Sequence, residues 1–210
     1  MATSATAKNW RTTATALNPG NLWGLLAIPG AAARLRIHEA DGTPDATANA
    51  TAFHYGGTKG GADLMISPTY DKFYVDEFRG PIVTNIGSID MGIATELVGI
   101  TDQVAMNNLL SGISTYATGA LSGDDAAYTE LRIGIKAITY QSIAHIFALN
   151  EDTTEWGIFH LYSALNDAGL KWKQSRKELG FTPANFVGFE ITTRAATDTI
   201  GCYWKSKQTS

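Results

Sequence analysis

The stretch GGTKGG, residues 56–61, sets a glycine pair on each side of Thr58 and Lys59, and bare backbone N–H groups beside a lysine are the ingredients of a phosphate cradle. The chemistry asks for more than that. A loop of the Walker type follows its lysine with Ser or Thr and then with a helix whose N-terminus faces the anion. Here Lys59 is followed by Gly60-Gly61 and then by ADLMISPTYDKFYV, a strand-favouring run that contains Pro68. The segment is therefore read as a glycine turn joining a strand at Phe53–Tyr55 to one at Leu64–Ile66, with no bound nucleotide.

Other chemistry is sparse. His38, His54, His145 and His160 stand singly, with no HxH, HExxH or Cys/His spacing of a metal site. His54 and His145 lie among aromatic and apolar neighbours and read as packed strand residues. The carboxylate pairs Asp76-Glu77, Asp124-Asp125 and Glu151-Asp152 are sequence neighbours, which on a strand point to opposite faces and cannot share a substrate. No GxSxG occurs, and Cys202, between Gly201 and Tyr203-Trp204, reads as an inert thiol of a C-terminal strand. No catalytic residue, cofactor site or metal site is expected. Two alternatives stay open: a paired-carboxylate hydrolase on a β scaffold, and a monomeric carbohydrate-binding module using Trp23, Trp156 or Trp172 as stacking platforms.

The elements that would carry such residues come from a chain of 210 residues, enough for one hydrophobic core. Hydrophobic residues make up 44%, ordinary for a globular domain, so wholesale disorder is not expected. Charged residues make up only 17% with a net charge of −4, which argues against a dedicated nucleic-acid binder and for either glycine-rich β structure or a surface that other subunits cover. The one cysteine excludes an intrachain disulfide. The N-terminal stretch has no apolar run of the signal-peptide kind, and Leu22 to Ala33 is too short to span a bilayer. The expectation is a chain made and kept in a cytoplasm unless something carries it out.

Residues 1–16 read as a Thr/Ala-rich mobile arm, followed by a single domain over 17–210. Leu22–Ile28 reads as a strand, and Glu39 to Thr51 as a long polar loop. Ile89, Met91, Ile93 and Leu97 alternate with Ser88, Asp90, Gly92, Ala94 and Glu96, the period of a strand with one buried face. A short helix over about 102–111 is capped by Thr101 or Asp102 and closed by Gly112. Gly119 to Glu130 reads as a loop. Strands resume through LRIGIKAITYQSIAHIFAL and Trp156–Leu165, with further strands at Phe186–Thr193 and Thr199–Lys205. Between them Lys171, Lys173, Arg176 and Lys177 form a basic cluster that reads as a solvated face or the mate of an acidic face on a neighbouring copy. The class is mainly β, a β-sandwich or partly closed barrel of two antiparallel sheets with one flanking helix.

The order of these features resembles the tail tube (major tail) proteins of tailed bacteriophages. It runs from the opening strand in NPGNLWGLLAIPG through the polar loop to YGGTKGGADLMIS. YVDEFRGPI, the alternating strand SIDMGIATELVGITD and the helix AMNNLLSG then follow. The likeness covers roughly residues 17–113 and rests on order and spacing. It implies a structural virion protein that self-associates into rings, commonly hexameric, stacked into a tube through which the genome passes. The localisation would be the virion tail, assembled in the host cytoplasm. Its partners would be other copies and the tape measure, tail terminator and baseplate or tip proteins, with DNA only in transit and no membrane. Another virion structural protein is the nearest alternative.

Under that resemblance the bore must let DNA slide, and cationic side chains would pair with phosphates and add friction. Ser88, Asp90 and Glu96, on the polar parity of their strand, are the expected bore-facing residues. Contacts between subunits or rings are expected from Asp41 and Asp45 in the long loop, from Thr58 and Lys59 at the glycine turn, and from Lys171 and Lys173.

Overall fold

The computed structural model describes residues 21–25, 52–76, 79–98, 108–112, 114–120, 127–149, 155–171 and 181–207. The fold is mainly β. Its strands are β1 (Asn21–Leu25), β2 (Ala52–Tyr74), β3 (Pro81–Val98), β4 (Ser114–Ala120), β5 (Ala127–Ile133), β6 (Gln141–Ala148), β7 (Glu155–Asn166), β8 (Phe181–Gly188) and β9 (Gly201–Lys207). Seven of them form one sheet in the order β6-β1-β2-β3-β8-β7-β9, with β6 also paired to β7, while β4 and β5 form a separate two-stranded sheet. Every pairing is antiparallel.

The core follows from alternation where a strand has one wet face. On β8, Thr182, Ala184 and Phe186 are buried while their neighbours are part-exposed. On β3, Met91, Ile93 and Leu97 go inward as the period-two pattern requires. They pack with Tyr55, Leu109, Ile143, Phe159, Leu161 and Phe186, each such side chain contributing roughly 1.5–3 kcal/mol by leaving water. Strands β6 and β7 differ, since residues 141–146 and 157–164 are buried without a break. Both parities of SIAHI and GIFHLYSAL are accordingly apolar or small, the mark of a strand covered on both faces.

Polar groups taken into this interior are tied down. The Tyr55 hydroxyl donates to Gln141 Oε1, and Gln141 Nε2 donates to the Asn108 carbonyl at 2.8 Å. Ser142 Oγ and His160 Nε2 lie 2.5 Å apart. After β8, a turn-rich segment folds over β7 and is clamped there by Arg194, whose guanidinium lies 3.7 Å from the centre of the Tyr162 ring. Arg194 donates to the Asp198 carboxylate and to the Asp198 carbonyl, both at 2.9 Å, and the Tyr162 hydroxyl donates to the other carboxylate oxygen at 2.6 Å.

Several expectations are corrected. GGTKGG does not reverse the chain: it lies inside β2, where Lys59 pairs with Glu96 and Ala62 with Thr95 across an irregularity. Gly60 and Gly61 have φ of 75° and 93°, so the glycine pair forms a bulge, which needs positive φ as much as a turn does. The reversal falls instead between Tyr74 and Pro81. Residues 119–120 and 127–130, expected in a loop, belong to β4 and β5. Residues 134–140 carry no ladder although they were read as strand, and 189–193 turn under the Arg194 clamp instead of extending β8. Of the expected helix, Asn108 and Leu109 are helical and Gly112 closes it with φ 85°; residues 101–107, the arm at 1–16 and the loop at 39–51 lie outside the described residues.

Arg194→Ala removes one partner of a buried pair, and a loss of about 3 kcal/mol is expected in urea unfolding. Burial also pushes the Tyr55 phenol well above its ordinary value. The unfolded chain releases this proton near pH ~10 while the folded chain holds it. Stability from this group is therefore complete below that pH and falls as pH rises toward the folded value. Tyr55→Phe is expected to flatten this alkaline loss in unfolding curves taken between neutral and alkaline pH, at a cost of about 1 kcal/mol at neutral pH for the orphaned Gln141 acceptor.

Candidate assembly surface

The sheet holds β2 and β3 only at their root. β1 pairs with β2 over Ala52–Gly57, and β8 pairs with β3 over Gly92–Val98. Beyond those limits the two strands pair only with each other among the described residues. The resulting ribbon projects over residues 81–91 of β3, about 35 Å at the usual rise per residue. Among the described residues, both outer edges of this ribbon have no ladder partner there. Pro68 sits within β2, a position a strand tolerates where the missing N–H faces a free edge.

The register sorts its side chains onto two faces, because directly opposed residues share a face. One face continues the core outward: Leu64 opposes Ile93, Ile66 opposes Met91, Pro68 opposes Ile89 and Tyr70 opposes Ile86. Exposure rises along it, from Ile93 at 0% to Ile86 at 61%. The other face carries Asp63 opposite Ala94, Ser67 opposite Asp90, Thr69 opposite Ser88 and Asp71 opposite Asn85. Thr69 Oγ1 and Ser88 Oγ are 2.7 Å apart, and the Ser88 N–H donates to Thr69 Oγ1 at 2.9 Å. A cross-strand pair so tied fixes register beside the irregularity at Gly87. Met65, 49% exposed beside Gly92, is the apolar exception on this part of the face.

The charge on the polar face is predominantly negative. It holds Asp63, Asp71, Asp90 and Glu96, and among the described residues its one cation is Lys59. Lys59 Nζ lies 3.5 Å from Glu96 and 4.0 Å from the centre of the Phe181 ring, so the cation is held at the root. Asp63, Asp71 and Asp90 remain further out as an acidic stripe.

The sequence-derived site residues distribute as follows. Ser88, Asp90 and Glu96 do share one exposed face, with Glu96 engaged by Lys59. Thr58 and Lys59 are not at a turn tip: they oppose Leu97 and Glu96 in mid-strand and point to opposite faces. Lys171 is exposed just past β7, away from the ribbon in the pairing scheme. Asp41, Asp45 and Lys173 lie outside the described residues, as do the side chains of Trp23, Trp156 and Trp172. Asp63 and Asp71 were missed, although the alternation of Asp63, Ser67, Thr69 and Asp71 with Leu64, Ile66, Pro68 and Tyr70 is legible in the sequence. Among the described residues no group of three or more His, Cys, Asp or Glu could hold a metal, and no helix is long and apolar enough to cross a membrane.

The chain matches no protein-family model and no curated protein.

The bulge and the ion pair beside it should respond differently to substitution. Gly61→Val meets open space but an unfavourable φ, so a loss of about 1–2 kcal/mol is expected from backbone strain alone. Lys59→Ala, at a half-exposed pair, should change stability by less than about 1 kcal/mol. Parallel urea titrations of the two variants check the contrast.

Proposed function

We propose that this chain is a structural subunit that assembles with copies of itself into stacked rings forming the tail tube of a tailed bacteriophage or phage-derived particle, and that the tube conducts the genome. The carrying observation is the two-faced ribbon: an apolar face continuous with the core, an acidic polar face, and two edges that have no ladder partner among the described residues. The edges are complementary in sense, since β3 of one copy can pair antiparallel with β2 of the next. Repetition around a ring consumes every edge, and closure is the way a sheet avoids exposed edges altogether. The apolar face would then back onto the protein layer and the acidic face would line the bore.

The pairing of β6 with both β1 and β7 supports a partly closed barrel as the body from which the ribbon extends. Asp63, Asp71 and Asp90 join Ser88 as bore residues in this reading, while Glu96 is neutralised by Lys59. Phosphates passing such a wall meet mostly like charge, and its one lysine among the described residues, Lys59, is paired with Glu96. Tape measure, terminator and baseplate proteins would meet the tube at its inside and its two ends.

Negative-stain electron microscopy across a concentration series tests the reading: rings or hollow tubes of uniform diameter are expected, and a chain that stays monomeric under all conditions overturns it. Asp63→Lys with Asp90→Lys is expected to leave tube formation intact but to make the tubes retain added DNA at low salt, releasing it as salt rises, as read by co-sedimentation.

A further inference from the structure

The far end of the ribbon differs from its root. Around the acidic stripe one face is polar, but near the tip Phe73 and Val83 oppose each other on that same face. Tyr70, Tyr74 and Ile86 are exposed on the reverse, and Ile82 is exposed beside them. These six side chains, about half to two-thirds exposed, present on the order of 600 Å² of mostly apolar surface, shared between the two faces of the tip. Lys72 opposes Thr84 between Tyr70 and Tyr74 on the reverse, so each face of the tip carries exposed apolar side chains beside a few polar ones, and both faces gain from being covered.

A second apolar patch lies on the same chain. Residues 134–140 run between β5 and β6 and form no strand ladder among the described residues. Ile133, Ile135, Ile138 and Tyr140 are exposed there, Ile135 completely. Two contacts hold the segment in place: the Lys136 N–H donates to the Gly112 carbonyl at 2.8 Å, and the Thr139 N–H donates to Ser111 Oγ at 2.9 Å. Tyr140 rests against Phe189, with ring centres 5.0 Å apart. The segment is therefore a fixed apolar shelf.

We propose that the tip of the β2–β3 ribbon of one copy seats on the residue 133–140 shelf of another copy. The inference rests on the self-assembly reading above and adds its contact. Each chain has one tip and one shelf, so tip-on-shelf contact covers both patches and leaves a fresh pair at each end of the assembly. Such a contact between unlike patches propagates into rings or filaments. Tip-on-tip contact would close at a dimer and leave every shelf bare. The tip area approaches the roughly 800 Å² per partner of a stable interface, with the shelf and the free edges supplying the remainder.

The test uses the full chain with photoreactive benzoylphenylalanine in place of Tyr74, mixed with isotope-labelled unmodified chain, assembled, irradiated and mapped by mass spectrometry. Adducts between the probe and residues 133–140 of a labelled copy are expected. Tubes that form with the probe attached to another copy's ribbon, or to any other region, overturn the tip-on-shelf contact while the self-assembly reading stands. A chain that never assembles overturns both. As a second readout, Ile135→Asp, at a fully exposed position, is expected to raise the concentration needed for assembly by about tenfold or more with an unchanged circular dichroism spectrum; assembly at the wild-type concentration overturns the contact.

Discussion

A two-stranded ribbon some 35 Å long cannot satisfy itself. Each strand has backbone donors and acceptors along two edges and side chains on two faces, and a hairpin fills only the inner edges. Such a ribbon is marginal in water without a third strand or a covered face. The root of β2 and β3 meets this demand inside the chain, through β1, β8 and the side chains of Tyr55, Ile93, Leu97 and Phe186. The end does not, and cooperative stability should therefore fall from root to tip.

The body is built to bear that lever. β6 and β7 are buried on both faces, and Arg194, Asp198 and Tyr162 fix the segment after β8 against β7 by charge, hydrogen bonds and ring contact together. Exposed strand edges are usually guarded by lysine, proline or a bulge. The ribbon has Pro68, the bulge at Gly60–Gly61 and irregularities at Gly87 and between Phe73 and Tyr74, but few cations: Lys59 is engaged at the root and Lys72 is the other strand lysine. Guarding is thus light where the ribbon is longest, which fits edges meant to be filled.

The alternation of Met91, Ile93 and Leu97 was legible because that stretch of β3 buries one face, while Ile89, expected to share it, is 41% exposed on the ribbon; the same alternation places Ser88, Asp90 and Glu96 together on the other face from the sequence alone. GGTKGG was not legible, since glycine pairs serve a turn and a bulge equally well and the partner strand that decides between them lies some 35 residues on. Taking it for a turn broke β2 in two and hid Asp63 and Asp71 from the face they share with Asp90. The true reversal, at VDEFRG, carries its glycine just before Pro81, and the aromatic and β-branched residues around it argued for strand instead. Residues 134–140 misled for a related reason: Ile133, Ile135 and Ile138 have the composition of a strand, but composition cannot show whether a ladder partner is present.

The acidic face sets two requirements of the proposed tube against each other. Repeating four carboxylates and one ammonium around a ring brings like charges side by side, and that repulsion opposes assembly as it opposes phosphate binding. At physiological salt the charges interact over only about 8 Å, so the opposition is local and spread along exposed side chains in water. The apolar reverse of the same ribbon is covered by the same association, at roughly 25 cal/mol for each Å² removed from water. Placing both terms on one ribbon couples them: any shift of register that moved a carboxylate to the reverse face would also move Ile66, Tyr70 and Ile86 into the bore. The Thr69–Ser88 pair and the flanking irregularities, which hold that register, would therefore guard both the bore and the interface of the proposed tube.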